Sequence, residues 1–285
     1  MPAASRLPGL SPEQASLVTA WLPHATLVRD HSWGLTDTTV LQLRRSEGED
    51  VVVKAAGPGN HHLDREVTAH ESWLRPWTSR GRAPTLLHVD RLAKVLVTAY
   101  LPGRLVEGDE SEGSPDTYRQ AGQLLRLLHD QASRTDDGFE AAMDARAMAW
   151  LDAPHRIDGT TERELRRRID GHRPGPARLV PTHGDWQPRN WLVHQGEVAA
   201  IDFGRAAWQT PDTDLARLSA QQFVGRPDLE AAFVEGYGSD PRAGEGWLRV
   251  RLREAVGTAV WAYQVGDEPF EAQGHRMIRD VLADG

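Results

Sequence analysis

Alternating apolar and polar positions dominate the first hundred residues. TDTTVLQLRRSEGEDVVVKAA carries two β-branched runs around the turn-forming segment Ser46 to Asp50, which predicts a hairpin with Lys54 on its second strand. ATLVRD reads as a strand ahead of it. The period then changes. In HHLDREVTAHESWLRPW, Leu63, Val67, His70 and Leu74 recur at helical spacing behind Asn60, a residue suited to capping. APTLLHVDRLAKVLVTAYLPGRL returns to strands, two of them around a turn expected at His88 to Ala93, and the second stops at Pro102 and Gly103. From Pro115 onward helical periodicity takes over, with Tyr118, Leu124, Leu125 and Leu128 on one side of the first segment. One exception is a short hairpin in which WLVH and EVAAID flank Gln195 and Gly196. The pattern predicts an α+β protein of two lobes: a small antiparallel-sheet lobe with one key helix over 1–102, and a larger, mainly helical lobe over 103–285.

Composition narrows the chemistry. The 285 residues are 39% hydrophobic and 26% charged, values of an ordinary globular protein. No apolar run reaches the roughly 20 residues that span a bilayer. Pro8, Pro12, Glu13 and Gln14 interrupt the N-terminal segment, so no signal peptide is read there and a cytoplasmic location is expected. There are no cysteines, which excludes disulfides, thiolate catalysis and cysteine-ligated zinc. The histidines are scattered, and the adjacent His61 and His62 face different sides of a helix, a poor arrangement for a shared metal. A net charge of −8 argues against a nucleic-acid partner and is compatible with a cationic one. Of 33 basic residues only Lys54 and Lys94 are lysine, so a chemical reason is sought for each. Lys94, in a turn, needs none. Lys54 has a candidate partner in Glu66, which falls on the inward face of the capped helix and is either paired with that lysine or exposed at the helix margin.

The remaining polar residues converge on the short hairpin. Asn190 precedes its first strand and Asp202 ends its second, so an amide oxygen and a carboxylate lie at the same end, a donor set suited to Mg²⁺ beside substrate phosphates. Asp185, in the loop before them, can orient a hydroxyl and accept its proton as a phosphoryl group moves. Upstream, HSWGLTD offers Ser32, Gly34 and Thr36 as a loop able to cover a phosphate, with fewer glycines than such loops usually hold.

HGDWQPRN has the form His-x-Asp-x-x-x-x-Asn, and AIDFG contains Asp-Phe-Gly. With Gly184 after His183, this pair resembles the aminoglycoside phosphotransferase and choline kinase family of protein-kinase-like enzymes over nearly the whole chain. The resemblance implies Asp185 as catalytic base, Asn190 and Asp202 as Mg²⁺ ligands, and Lys54, paired to Glu66, on the phosphates of ATP or GTP. It implies adenine contacts from the backbone at Ala99, Tyr100 and Leu101. His183 would brace the catalytic loop, and Asp214 would cap the helix LARLSAQQF, a role its residue type also suggests. Arg189 stands where relatives often have a small residue.

Only eleven residues separate Asp202 from Asp214, too few for the activation segment of a protein kinase, so a small-molecule hydroxyl is the expected acceptor. The resemblance points to an amino sugar antibiotic, with choline as another option. Asp152, Asp267 and Glu268 are candidate acceptor-cleft residues, with Trp150, Trp208 or Trp261 as a stacking wall, although each taken singly reads more readily as ordinary surface or core. A catalytically silent nucleotide- or ligand-binding module on the same scaffold is the alternative.

Overall fold

The computed structural model describes residues 7–32, 37–244 and 246–284. Strands β1 (Thr26–Asp30), β2 (Thr39–Arg44), β3 (Asp50–Ala55), β4 (Leu86–Asp90) and β5 (Val95–Ala99) form an antiparallel 5-stranded sheet in the order β1-β2-β3-β5-β4. Period-two patterning divides its faces. Val51, Val53 and Ala55 turn to one side, where Leu41, Leu43, Val95 and Val97 meet Val18 and Leu22 of helix α1 (Pro12–Trp21) and its C-terminal cap. Lys54 turns to the other, where helix α2 (His61–Ser72) packs Leu63 and Val67 on Leu96 and Ala56. As expected, Asn60 caps α2, its side chain accepting from the backbone of His62 and Leu63.

The turn between β4 and β5 is Arg91 to Lys94 rather than His88 to Ala93. His88 remains in β4, with its ring stacked on Trp21 at 5.3 Å. Nor is Lys94 a free turn residue: its side chain is mostly covered and its Nζ lies 2.5 Å from Asp64 on α2, tying the turn to the helix.

After α3 (Arg75–Thr78) and the sheet, β6 (Arg104–Leu105) leaves the first lobe and pairs with the hairpin of β9 (Trp191–His194) and β10 (Glu197–Ala200). A further small sheet joins β7 (Arg134–Asp136), β8 (Ala177–Thr182) and β11 (Ala207–Gln209). Helices supply the rest. They are α4 (Pro115–His129), α5 (Phe139–Asp152), α6 (Gly159–Asp170), α7 (Ala216–Ala220), α8 (Pro227–Tyr237), α9 (Trp247–Val265) and α10 (Glu268–Ala283). Leu124, Leu125 and Leu128 of α4 are buried with Trp186, Trp191 and Phe203, so the periodic face read from sequence forms the floor under the hairpin.

That floor crosses the lobe boundary. Ala69, Trp73, Leu74, Trp77 and Ala83 belong to the same cluster, and Trp77 Nε1 donates to the Leu124 carbonyl at 2.9 Å. The end of α2 and all of α3 are therefore bonded into the helical body, while the sheet and α1 stay outside it. A second cluster packs α5, α6, α9 and α10 together.

Candidate active site

The hairpin β9–β10 sets the geometry. Asn190 ends a 3-10 turn (Pro188–Asn190), and its carbonyl accepts from Ile201 N–H at 3.0 Å, which closes the hairpin's open end. Asp202 comes next with φ +64°, a left-handed conformation uncommon outside glycine that turns the chain out of the strand at the cleft. Gly204 packs its backbone against His62, whose Nδ1 donates to the Gly204 carbonyl at 2.8 Å. That bond links α2 to the segment carrying Asp202.

Lys54 reaches both sides of the cleft. Its Nζ lies 2.7 and 3.0 Å from the two oxygens of Glu66 and 3.4 Å from Asp202 Oδ1. Glu66 is buried, so of the two options left by its helical position the paired one holds. Burial would discharge the ammonium, but the Glu66 and Asp202 carboxylates more than offset it and hold Lys54 above the ordinary lysine range. Lys54 in turn holds the Asp202 carboxyl below its usual range, against the nearby Asp185 charge.

The loop carrying Asp185 is held from beneath. Gly184 has φ +77°, and a Cβ there would fall 2.2 Å from the Arg205 carbonyl oxygen, so only glycine fits between His183 and Asp185. His183 is buried, with Nε2 donating to the Ile201 carbonyl at 3.1 Å. Asp214 does not cap the helix after it. It lies inside a 3-10 turn (Pro211–Leu215), and its carboxylate accepts from the backbone N–H groups of His183 at 2.9 Å and Gly184 at 2.6 Å, with His129 at 3.1 Å. The reason is tertiary. The N–H groups of His183 and Gly184, one buried and one partly so, compete for the carboxylate, and helix α7 begins too late to claim it.

Asp185 is surrounded by donors. Its Oδ1 accepts from Gln187 Nε2 and Arg217 Nη1. Its Oδ2 accepts from Arg189 Nη2 at 2.8 Å and Asn190 Nδ2 at 3.0 Å. Burial opposes charge here, yet Arg217, Arg189 and Arg205 together hold the carboxyl well below the usual carboxylate range. Arg217 is itself braced by Glu254 of α9 at 2.7 Å. Sequence reasoning missed Arg205, Arg217, Gln187 and Glu254 and left Arg189 open. Gln187 and Arg189 stood inside the HGDWQPRN motif, whereas nothing in the spacing of Arg217 or Glu254 marks them.

The donor set suits an oxygen-seeking cation. Asn190 points its amide nitrogen at the Asp185 backbone and carboxylate, which leaves Oδ1 without a hydrogen bond among the described residues, and the Asp202 carboxylate is exposed apart from its contact with Lys54. Among the described residues no group of three or more histidines and acidic residues forms a metal cage, so such an ion would rest on these two ligands and on phosphate.

The other expected residues are spread more widely. At the lobe junction, Ala99 N–H donates to Thr85 and Tyr100 N–H to Asp50, while Leu101 N–H has no partner among the described residues. Ser32 Oγ accepts from Val40 N–H at 3.0 Å, and Gly34 and Thr36 lie outside the described residues. Trp261 meets Phe270 edge to face at 5.9 Å, and the Arg217 guanidinium stands 6.0 Å from the Phe270 ring, so that pair reaches toward Asp185. Trp208 instead packs on Trp73 beneath Arg134, and Trp150 lies against the second helical cluster. Asp152 pairs with Arg166 in α6, and Asp267 caps α10 by accepting from Phe270 N–H, with Glu268 exposed in its first turn.

A sequence model of the phosphotransferase enzyme family matches residues 28–252. The chain belongs to that family. No curated protein matches the phosphotransferase in sequence. Solved structures match it in fold. A thermostable mutant of aminoglycoside phosphotransferase APH(4)-Ia is 15% identical with a TM-score of 0.66, over 95% of this chain and 99% of that one. Choline kinase LicA from Streptococcus pneumoniae is also 15% identical, with a TM-score of 0.67 over 95% and 97%. Macrolide 2'-phosphotransferase MphH from Brachybacterium faecium is 20% identical, with a TM-score of 0.59 over 92% and 96%. The bilobal protein-kinase-like fold expected of the phosphotransferase is thus the fold it has. Among the described residues no helix is long and apolar enough to cross a membrane.

Proposed function

We propose that this phosphotransferase moves the γ-phosphoryl group of ATP or GTP to a hydroxyl of a small molecule. The observation that carries the reading is that two bonded pairs, Lys54 with Asp202 at 3.4 Å and Asn190 with Asp185 at 3.0 Å, are joined through the hairpin by the bond from Ile201 N–H, next to Asp202, to the Asn190 carbonyl at 3.0 Å. Lys54, fixed by Glu66, would hold the nucleotide phosphates, and the junction backbone at Ala99 to Leu101, through its carbonyls and the Leu101 N–H, the adenine. Ser32, Gly34 and Thr36 would lie over the phosphates. Asn190 Oδ1 and Asp202 would hold Mg²⁺, which when bound neutralises charge on the transferring group.

Asp185 orients the acceptor hydroxyl. As the acceptor oxygen bonds to γ-phosphorus, the bond to the β,γ-bridging oxygen breaks, its electron pair leaves with the nucleoside diphosphate, and the hydroxyl proton passes to the Asp185 carboxylate. A cytoplasmic location accords with a nucleoside triphosphate substrate.

The overall charge of −8 suggested a cationic acceptor such as an aminoglycoside, amino sugar or choline. That acidity does not extend to Asp185, where three arginines stand, so net charge is a poor guide to the acceptor. The test is nucleoside diphosphate release and phosphate-ester formation across a panel of hydroxyl compounds, parent against Asp185→Ala. A silent binding module would hold nucleotide and transfer nothing in either form.

A further inference from the structure

A carboxylate offers about four lone-pair positions, and at Asp185 all four are filled by protein donors. An acceptor hydroxyl that is to give Asp185 its proton must displace one. Gln187 and Asn190 are buried, and Arg217 is tied on its far side to Glu254. Arg189 differs. About a third of its side chain is exposed at 35%, its bond to Asp185 is the one hydrogen bond its side chain makes among the described residues, and it sits on a one-turn 3-10 segment.

A guanidinium drawn from a buried carboxylate exchanges a charge-assisted bond for weaker bonds to water, so an anion on the incoming molecule is its better new partner. Arg205 adds to that preference. It is largely covered, with Arg217 and Arg189 repelling its charge and Asp185 and Glu254 only partly offsetting them, and its side chain makes no hydrogen bond or ion pair among the described residues. Asp185 thus has one movable guanidinium bonded to it, Arg189, and a second, Arg205, in whose field it lies and which has no hydrogen-bond or ion-pair partner among the described residues.

We infer that Arg189 is an acceptor-displaced gate on Asp185, and that Arg189 and Arg205 then receive an anionic group, carboxylate or phosphate-like, on the acceptor, which is a hydroxylated anion rather than a polycation. The inference rests on Asp185 as the residue that meets the acceptor hydroxyl.

The experiment has two arms. In the first, protein saturated with magnesium and a non-hydrolysable ATP analogue is titrated with sulfate at constant ionic strength, with chloride as control, for the parent, Arg189→Ala and Arg189→Lys. Occupying the phosphate site with nucleotide leaves the acceptor side as the place for the probe. We expect the parent to bind sulfate about tenfold more tightly than Arg189→Ala, with Arg189→Lys between them. Equal affinity in parent and Arg189→Ala overturns the inference, provided thermal unfolding shows the variants folded; Arg189→Lys keeps the comparison if alanine does not fold.

In the second arm, nucleoside diphosphate release is measured with matched compounds: sorbitol against gluconate, galactose against galacturonate, and glucosamine as the cation. Turnover confined to the acids, with KM raised in Arg189→Ala, supports the gate. Turnover of glucosamine or a neutral polyol as fast as the acids overturns it and leaves phosphoryl transfer standing. Sulfate capture through Arg189 with no turnover of any compound has the opposite meaning: the anion site stands and the transferase reading falls.

Discussion

At the scale of single residues, two titrations separate chemistry from stability. The Asp185 carboxyl is held low by its arginines against burial, so it stays ionised throughout the neutral range. Its folded-state contribution to stability is present above the unfolded aspartate value, about 3.9, and is lost as pH falls through the lower folded value. Turnover should therefore show no acid limb from Asp185 between about pH 5 and 8, where a carboxylate of depressed pKa does not titrate. Asp185→Ala should lower kcat by about 10²- to 10⁴-fold while nucleotide affinity stays near the parent's, because the contact is used as the hydroxyl attacks. A kcat within a few fold of the parent's would remove the residue from the proton path.

His70 behaves in the opposite sense. Both ring nitrogens are buried without partners among the described residues, the ring meets Phe203 at 5.5 Å, and burial, with Lys54 nearby, lowers its pKa from 6.5 to about 4. Between those values the unfolded chain takes up a proton that the folded chain refuses, so stability falls as pH drops through that window. The loss is at most about 3 kcal/mol at roughly 1.36 kcal/mol per pKa unit. His70→Phe should flatten the melting temperature against pH over that window; an unchanged slope would assign the acid sensitivity elsewhere. The sequence placed His70 on the inward face of its helix, but the absence of partners is a property of the packed structure.

At the scale of elements, local pattern was legible where a single helix or hairpin decides it. The Asn60 cap, the alternation of β3 and the β9–β10 hairpin need only neighbours in sequence. The β4–β5 turn was misplaced because His88 is kept in its strand by stacking on Trp21, a contact from a distant helix. Asp214 was misread for a related reason: a capping residue is recognised by the helix immediately downstream of it, whereas this carboxylate is used by N–H groups about thirty residues earlier. Two substitutions test that brace. Gly184→Ala should cost roughly 1–3 kcal/mol, from a positive φ and a backbone clash, and should lower kcat with it. Asp214→Asn preserves shape but offers one acceptor oxygen to two N–H groups, and should lower denaturant stability by about 1–3 kcal/mol. Parent-like unfolding of either variant would show that the loop does not depend on the brace.

At the scale of the whole molecule, the change from sheet to helix at Pro102 and Gly103 is visible in composition, but the cores do not divide there. Trp77 is 1% exposed within the helical body's cluster and donates to α4 from a segment ahead of the boundary. Trp77→Ala should therefore destabilise the protein by about 3–5 kcal/mol, and separately produced 1–102 should lack cooperative thermal unfolding by circular dichroism. A cooperative transition in that fragment would mean that the sheet and α1 suffice for a lobe.

By itself the sequence determined the sheet-then-helix order, the loop and hairpin that carry Asp185, Asn190 and Asp202, and the strand and capped helix that carry Lys54 and Glu66, while the kinase-like fold was read from the resemblance those motifs carry. Those elements arise from residue types at short spacing, where backbone geometry limits how far two side chains can be apart. Only the tertiary structure decided which cations crowd Asp185, what Asp214 supports and where the two cores join. Arg217 meets Asp185 across 32 positions and Trp77 meets Leu124 across 47. At such separations the intervening chain imposes no distance, and the contact exists because packed helices bring the groups together.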